Sequence, residues 1–265
     1  MGLGSNGWGG GCMPSPWART TADDADVIPL RDTIPSRTFP AITYTLIAVN
    51  VALFVFELSL GPGLEKLFRV FGVVPAYFTV AKVAAEVPLE WKVIPLFTSM
   101  FLHGGWLHLI GNMWTLWIFG DNVEDRLGHI RYLLFYLGCG VLSALVHIFT
   151  NPGSPVPTIG ASGAIAGVMG AYFILYPRAR VVTLIIIVFF VEIIEIPAVV
   201  YLGFWFLIQF LNGSVTILAG GAQFGGVAWW AHVGGFVAGA FIVRFLVPRL
   251  GGRPWKRGPG FIILR

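Results

Sequence analysis

Charged residues are scarce in this sequence, making up 11% of its 265 residues where a soluble domain carries about 25%. That scarcity excludes a soluble globular domain, and with 56% hydrophobic residues and a mean hydropathy of +0.79 the chain reads as a polytopic membrane protein. Cysteine is nearly absent. Cys12 and Cys139 lie far apart, one in a Gly-rich tail and one in an apolar run, so neither a disulfide framework nor a thiolate metal site is indicated. Residues 1–27 contain no apolar core of the about 7–15 residues that a signal peptide needs. They read as a disordered cytoplasmic tail, and residues 249–265 as a basic cytoplasmic one. The net charge of +4 does not point to nucleic acid, because the basic residues gather at the ends of apolar segments, where they set orientation and meet lipid headgroups.

Six apolar segments approach the about 20 residues that a span requires. They lie near 41–60, 101–120, 130–149, 158–176, 193–212 and 226–247, which predicts an all-α bundle of six transmembrane helices over residues 28–248. The stretch 61–98 between the first two is long and amphipathic and is expected to lie partly in the interface. The apolar run from Val181 to Leu211 exceeds one span; its first part is assigned to the inner interface, with Glu192 and Glu195 at headgroup level or paired with a basic neighbour. Arg126, Arg131, Arg178, Arg180 and Arg244 alternate with the uncharged segments 150–157 and 213–225, which predicts cytoplasmic termini.

With that topology, spans two, four and six all run inward from the outer face, and each carries its unusual polar residues near its start. His103, His108 and Asn112 open span two, Ser162 opens span four and His232 lies six residues into span six. All lie within roughly 5–15 Å of the outer edge of the hydrocarbon. Ser162 permits two readings. Gly163, Gly167 and Gly170 fall at i, i+4 and i+7, a flat face for close helix packing with the serine as polar filler. Alternatively, Gly160 and Gly163 leave its hydroxyl unhindered at a helix N-terminus, the setting of a nucleophile. His232, Gly235 and Gly239 share a face that can meet the small face of span four and deliver an imidazole to the hydroxyl, which favours the second reading. His108 and Asn112, four apart, can donate together to a developing oxyanion. A metal site built from His103, His108 and His232 competes, but the first two are five apart rather than four and no thiolate or carboxylate accompanies them.

The runs His103-Gly104-Gly105-Trp106-Leu107-His108-Leu109-Ile110-Gly111-Asn112, Gly160-Ala161-Ser162-Gly163 and Ala231-His232-Val233-Gly234-Gly235 with Gly239 resemble those of the rhomboid family of intramembrane serine proteases. Trp91-Lys92 resembles the family's Trp-Arg pair, and the segment from Gly120 to Gly128 adds to the likeness. The resemblance implies Ser162 as nucleophile, His232 as general base and then acid, and His108, Asn112 and the Ser162 amide as oxyanion hole. It implies that His103 braces the first loop and that Gly160, Gly163, Gly235 and Gly239 give structural support, with no cofactor and no metal. The compact six-span plan suggests a multi-pass protein of the bacterial cytoplasmic membrane, and the charge asymmetry puts the site near the outer leaflet. Its partners would be the bilayer and the transmembrane segments of single-span substrates, admitted past a gate at span five and a lid at 213–225. Two positions depart from the pattern. Lys92 stands where the family has arginine, and Ala166 stands where some relatives place a tyrosine beneath the histidine, so His232 must be oriented by other groups, aromatic residues of span six among them. A non-catalytic rhomboid-like protein that binds client spans is the alternative; its signature would be loss of Ser162 or His232.

Overall fold

The computed structural model describes residues 26–187, 190–218 and 227–247. The expected tails at 1–25 and 249–265, and most of the expected lid at 213–225, lie outside the described residues. The element order is β1 (Asp26–Asp32), α1 (Ala41–Ser59), α2 (Leu64–Phe71), α3 (Ala76–Thr79), α4 (Ala81–Glu86), α5 (Glu90–Thr98), α6 (Trp106–Leu127), α7 (His129–Thr150), α8 (Ser162–Leu175), β2 (Arg180–Ile187), β3 (Phe190–Pro197), α9 (Ala198–Leu218) and α10 (Trp229–Leu246).

Each of the six predicted spans is a helix in this bundle, but they are not equal. α1, α7, α9 and α10 are long and apolar enough to cross a bilayer alone. α6 carries Asp121, Glu124, Asp125 and Arg126 in its last turns and passes only when joined to the α5 segment across a 79° bend. α8 has 14 residues, about 21 Å of helix against a hydrocarbon core of about 30 Å. It does not need to reach lipid at both faces, because ten of its residues are buried against its neighbours.

The polar ends tie the bundle together. Glu124 on α6 accepts hydrogen bonds from the Ile42 and Thr43 amides at 2.9 and 2.8 Å and from the Thr43 hydroxyl at 2.7 Å. A carboxylate thus satisfies the orphan amides that open α1. Gly128 ends α6 at φ 79, a conformation that costs glycine little, and the chain turns directly into α7. Between α1 and α6, the stretch expected at the interface is folded into the short helices α2 to α5, where Lys92 donates to the Ala84 carbonyl at 2.6 Å.

Helices account for the spans but not for the whole chain. β1, β2 and β3 form an antiparallel sheet in that order, with Val181 opposite Asp32 on one side and Ile196 on the other. The expected interfacial segment after Val181 is therefore a hairpin, and span five begins at Ala198 rather than 193. The run is dominated by Val and Ile, whose stiff branched side chains favour strands, and Pro197 closes it. Asp26 and Val27, assigned from sequence to the tail, are already in β1. Arg180 lies 3.7 Å from Glu195 across the hairpin, the kind of pairing expected for that glutamate. The Trp114 indole donates to the Pro29 carbonyl at 2.6 Å and fastens the sheet to α6.

Candidate active site

The segment before α8 is held from three sides. Val73 and Thr158 exchange backbone hydrogen bonds at 2.9 and 2.8 Å, the Gly160 amide donates to the Ser99 carbonyl at 2.8 Å, and the Thr158 hydroxyl meets Nε2 of the buried His147 at 2.7 Å. Gly160 has φ +126, and a Cβ added there would lie 2.6 Å from His108 Nε2 and 3.7 Å from Ser162 Oγ. Only glycine both adopts that backbone and leaves the imidazole its place. The chain then enters α8 with Ser162 as its first residue, where the first-turn amides have no intrahelical acceptor.

His232 lies in the first turn of α10, and α8 and α10 touch backbone to backbone. A Cβ on Gly239 would lie 2.5 Å from the Gly167 carbonyl carbon, and one on Gly167 would lie 3.3 Å from the Gly235 carbonyl oxygen. A Cβ on Gly235 would land on the Gly163 carbonyl. The small faces read from sequence therefore meet. Beside them Ser143 on α7 donates to the Ala231 carbonyl at 2.8 Å. The outcome is a separation of 2.8 Å between His232 Nε2 and Ser162 Oγ, a hydrogen bond between groups 70 residues apart in sequence.

His108, Asn112, Gly160, Ser162, Gly163 and His232 line one cavity of about 1000 Å³. His108 Nδ1 accepts from the Gly104 amide at 3.4 Å, which leaves its Nε2–H free to donate toward the space beside Gly160 and Ser162. Asn112 donates one amide hydrogen to His103 Nε2 at 3.0 Å. His103 is buried behind the cavity rather than lining it, and its ring stands edge-on to His108 at 5.1 Å. It braces the two expected donors, and its own amide is held by the buried Glu57 carboxylate of α1 at 3.2 Å. Gly235 and Gly239 lie in the α8–α10 seam, outside the cavity lining.

Sequence reasoning missed four residues around this site: Glu57, His147, Trp205 and Gln209. The expected aromatic support for the histidine is also displaced. The ring beside His232 is Trp205 of α9, at 5.8 Å and tilted by 33°, and Nδ1 of His232 faces Gln209 Oε1 of the same helix at 2.8 Å. An amide or a carboxylate within an apolar helix is a signal in its own right, and it would have found Glu57 and Gln209.

Residues 90–249 match the family model of the Rhomboid domain. The chain is 32% identical over 209 residues to Rhomboid protease GluP of Bacillus subtilis, an alignment covering 78% of this chain and 38% of that protein. It is 27% identical over 203 residues to Rhomboid protein 1, mitochondrial, of Saccharomyces cerevisiae, covering 75% and 51%. With RHOMBOID-like protein 6, mitochondrial, of Arabidopsis thaliana the identity is 32% over 161 residues, covering 49% and 50%. The chain thus spans well under two thirds of these relatives' own length. A family match over more than half of the sequence, on a helical membrane bundle with the serine and histidine motifs at one end, establishes that this chain belongs to the rhomboid family.

Proposed function

We propose that this protein is an intramembrane serine endopeptidase that cleaves single-span membrane proteins in or near the bilayer. The observation that carries the reading is the 2.8 Å contact between His232 Nε2 and Ser162 Oγ inside the cavity lined by His108 and Asn112. In this mechanism Nε2 accepts the hydroxyl proton as Oγ attacks the peptide carbonyl carbon, and the carbonyl π pair moves onto oxygen. His108 Nε2–H, the free Asn112 amide hydrogen and the Ser162 amide donate to that oxyanion. Each such donor typically contributes about 3–4 kcal/mol of transition-state stabilisation. Collapse breaks the C–N bond, and the imidazolium returns its proton to the leaving amine. Water, deprotonated by the same nitrogen, then attacks the acyl carbon, and the imidazolium returns that proton to Oγ as the ester C–O bond breaks.

The charge pattern supports an orientation with the site toward the outer leaflet. Arg126, Arg178 and Arg244 lie at or just beyond the ends of α6, α8 and α10 opposite Ser162 and His232. Residues 28–248 form the membrane domain, between a cytoplasmic N-terminal tail and a basic C-terminal one. Substrates are transmembrane segments, which must unwind before attack because a helix hides its carbonyls in its own hydrogen bonds.

Cleavage of a single-span reporter by the purified chain in liposomes tests the reading, run beside Ser162→Ala and His232→Ala. Product from the native chain that disappears in both variants is expected. Equal product from all three, or none from any, would move the weight to a non-catalytic protein that binds client spans.

A further inference from the structure

We propose that Gln209 is the positioning residue for His232, and that it places this function on α9, a helix only lightly attached to the bundle. The proposal rests on the reading of Ser162 and His232 as nucleophile and base. A dyad histidine must present an unprotonated Nε2 to the hydroxyl, which requires the neutral ring to carry its proton on Nδ1. Gln209 Oε1 lies 2.8 Å from Nδ1 and can only accept a hydrogen bond. The contact therefore selects the productive tautomer and fixes rotation about the Cβ–Cγ bond. Gln209 is 5% exposed, so its carbonyl oxygen has little water to turn to.

A single stripe of α9 supplies the support. One turn before Gln209, the Trp205 ring lies 5.8 Å from the imidazole; one turn after it, the Gly213 carbonyl accepts from the Trp230 indole of α10 at 2.9 Å. α8 cannot substitute, since the residue there is Ala166. Of the 21 residues of α9 only Ala198, Leu202, Gln209 and Gly213 are buried. Seating of α9 on α10 and alignment of the base are consequently one event. A displaced α9 takes the acceptor and the ring away together, leaving Ser162 and His232 present but misoriented.

The test compares Gln209→Leu and Gln209→Glu in the liposome reporter assay, with Ser162→Ala as reference. Leucine keeps the size and removes the acceptor, and kcat is expected to fall about 10-fold to 100-fold with KM within about twofold. Glutamate can only accept. It is expected to restore kcat to within about threefold of the native chain and to move the acid limb of the kcat/KM profile up by about one pH unit, because a carboxylate favours the imidazolium. The other imidazoles around the ring, His108 and His147, are unchanged in this comparison. Native kcat in Gln209→Leu, or equal loss in both variants, would overturn the proposal. Should Gln209→Leu fail to fold, 15N spectra of the histidine-labelled native chain decide, with the His232 signal identified by its absence from His232→Ala. A proton on Nδ1 is expected, and a proton on Nε2 would overturn the assignment. Persistent activity in Ser162→Ala would instead remove the protease reading itself.

Discussion

Helices α8 and α9 both reach α10 beside His232, but different physics holds each of them there. α8 meets α10 through Gly163, Gly167 and Gly170 against Gly235, Phe236 and Gly239, with backbone atoms in direct contact and no side chain able to give way. α9 meets it through the side chains of Trp205, Phe206 and Gln209, with Phe206 and Phe236 rings at 4.9 Å and most of the helix exposed. The first contact fixes where the serine and histidine are. The second fixes how the histidine is turned. A membrane bundle gains little from expelling water between helices, so close backbone approach is what makes the α8–α10 seam rigid, and its absence leaves α9 the more easily displaced.

That contrast can be broken from either side. The largest effect should come from the seam: Gly239→Leu drives a side chain into the Gly167 backbone, and a loss of about 3 kcal/mol or more is expected, seen as a collapse of the thermal midpoint in detergent. Next comes Gly160→Ala, which puts a methyl 2.6 Å from His108 Nε2, at a φ of +126 that alanine rarely adopts. This should lower kcat by about 10²–10³ through loss of an oxyanion donor while the purified chain still unfolds cooperatively. A milder disturbance is Gly213→Val, whose Cβ would press on the Trp230 ring 3.0–3.2 Å away. Lifting α9 in this way should reduce kcat about 5–10-fold and leave the thermal midpoint nearly unchanged; equal loss of stability at Gly213 and Gly239 would erase the distinction between the two contacts.

The smallest effect lies at the opposite end of the bundle. Asp32 of β1 accepts hydrogen bonds from Tyr172 and, at 2.9 Å, from Asn122. Burial pushes its carboxyl up to about 7 from an ordinary 3.8, and the neighbouring Asp121 adds to the rise. The folded state holds this proton more tightly than the unfolded chain does. Its contribution is therefore fully present below about pH 4 and is lost as the pH rises through about 7. Asp32→Asn should leave the thermal midpoint unchanged at pH 4 and raise it by a few degrees at pH 8, on the order of 1 kcal/mol. An unchanged difference between the two pH values would remove Asp32 from the account.

The rigid contact was the legible one. Ser162 and His232 stand out because glycines recur around each at helical spacing and because topology brings both to one depth, so periodicity and topology together suggest that they meet. His108 and Asn112 follow from their spacing of four. The α9 contact leaves a fainter trace, since polarity marks Gln209 in its helix but does not mark its partner. Gln209 is one amide in an apolar helix, with its partner 23 residues onward on another helix, a separation that no spacing rule covers. The partners of Glu57 and His147 are equally untraceable by spacing, because His103 and Thr158 lie in the segments between helices. The sheet escaped because a long Val- and Ile-rich run fits a buried helix as well as a strand by hydrophobicity. The arbiters were the branched residues and the β1 partner 149–160 residues earlier.

The central claim is that Ser162 is a nucleophile because His232 accepts its proton. Its most direct test is treatment of the purified chain with a fluorophosphonate probe, followed by mass spectrometry of the peptide containing residues 158–176. A phosphonyl adduct on Ser162 is predicted, at least about 100-fold slower to form in His232→Ala. No adduct on Ser162, or an adduct that forms equally fast without His232, would contradict the account.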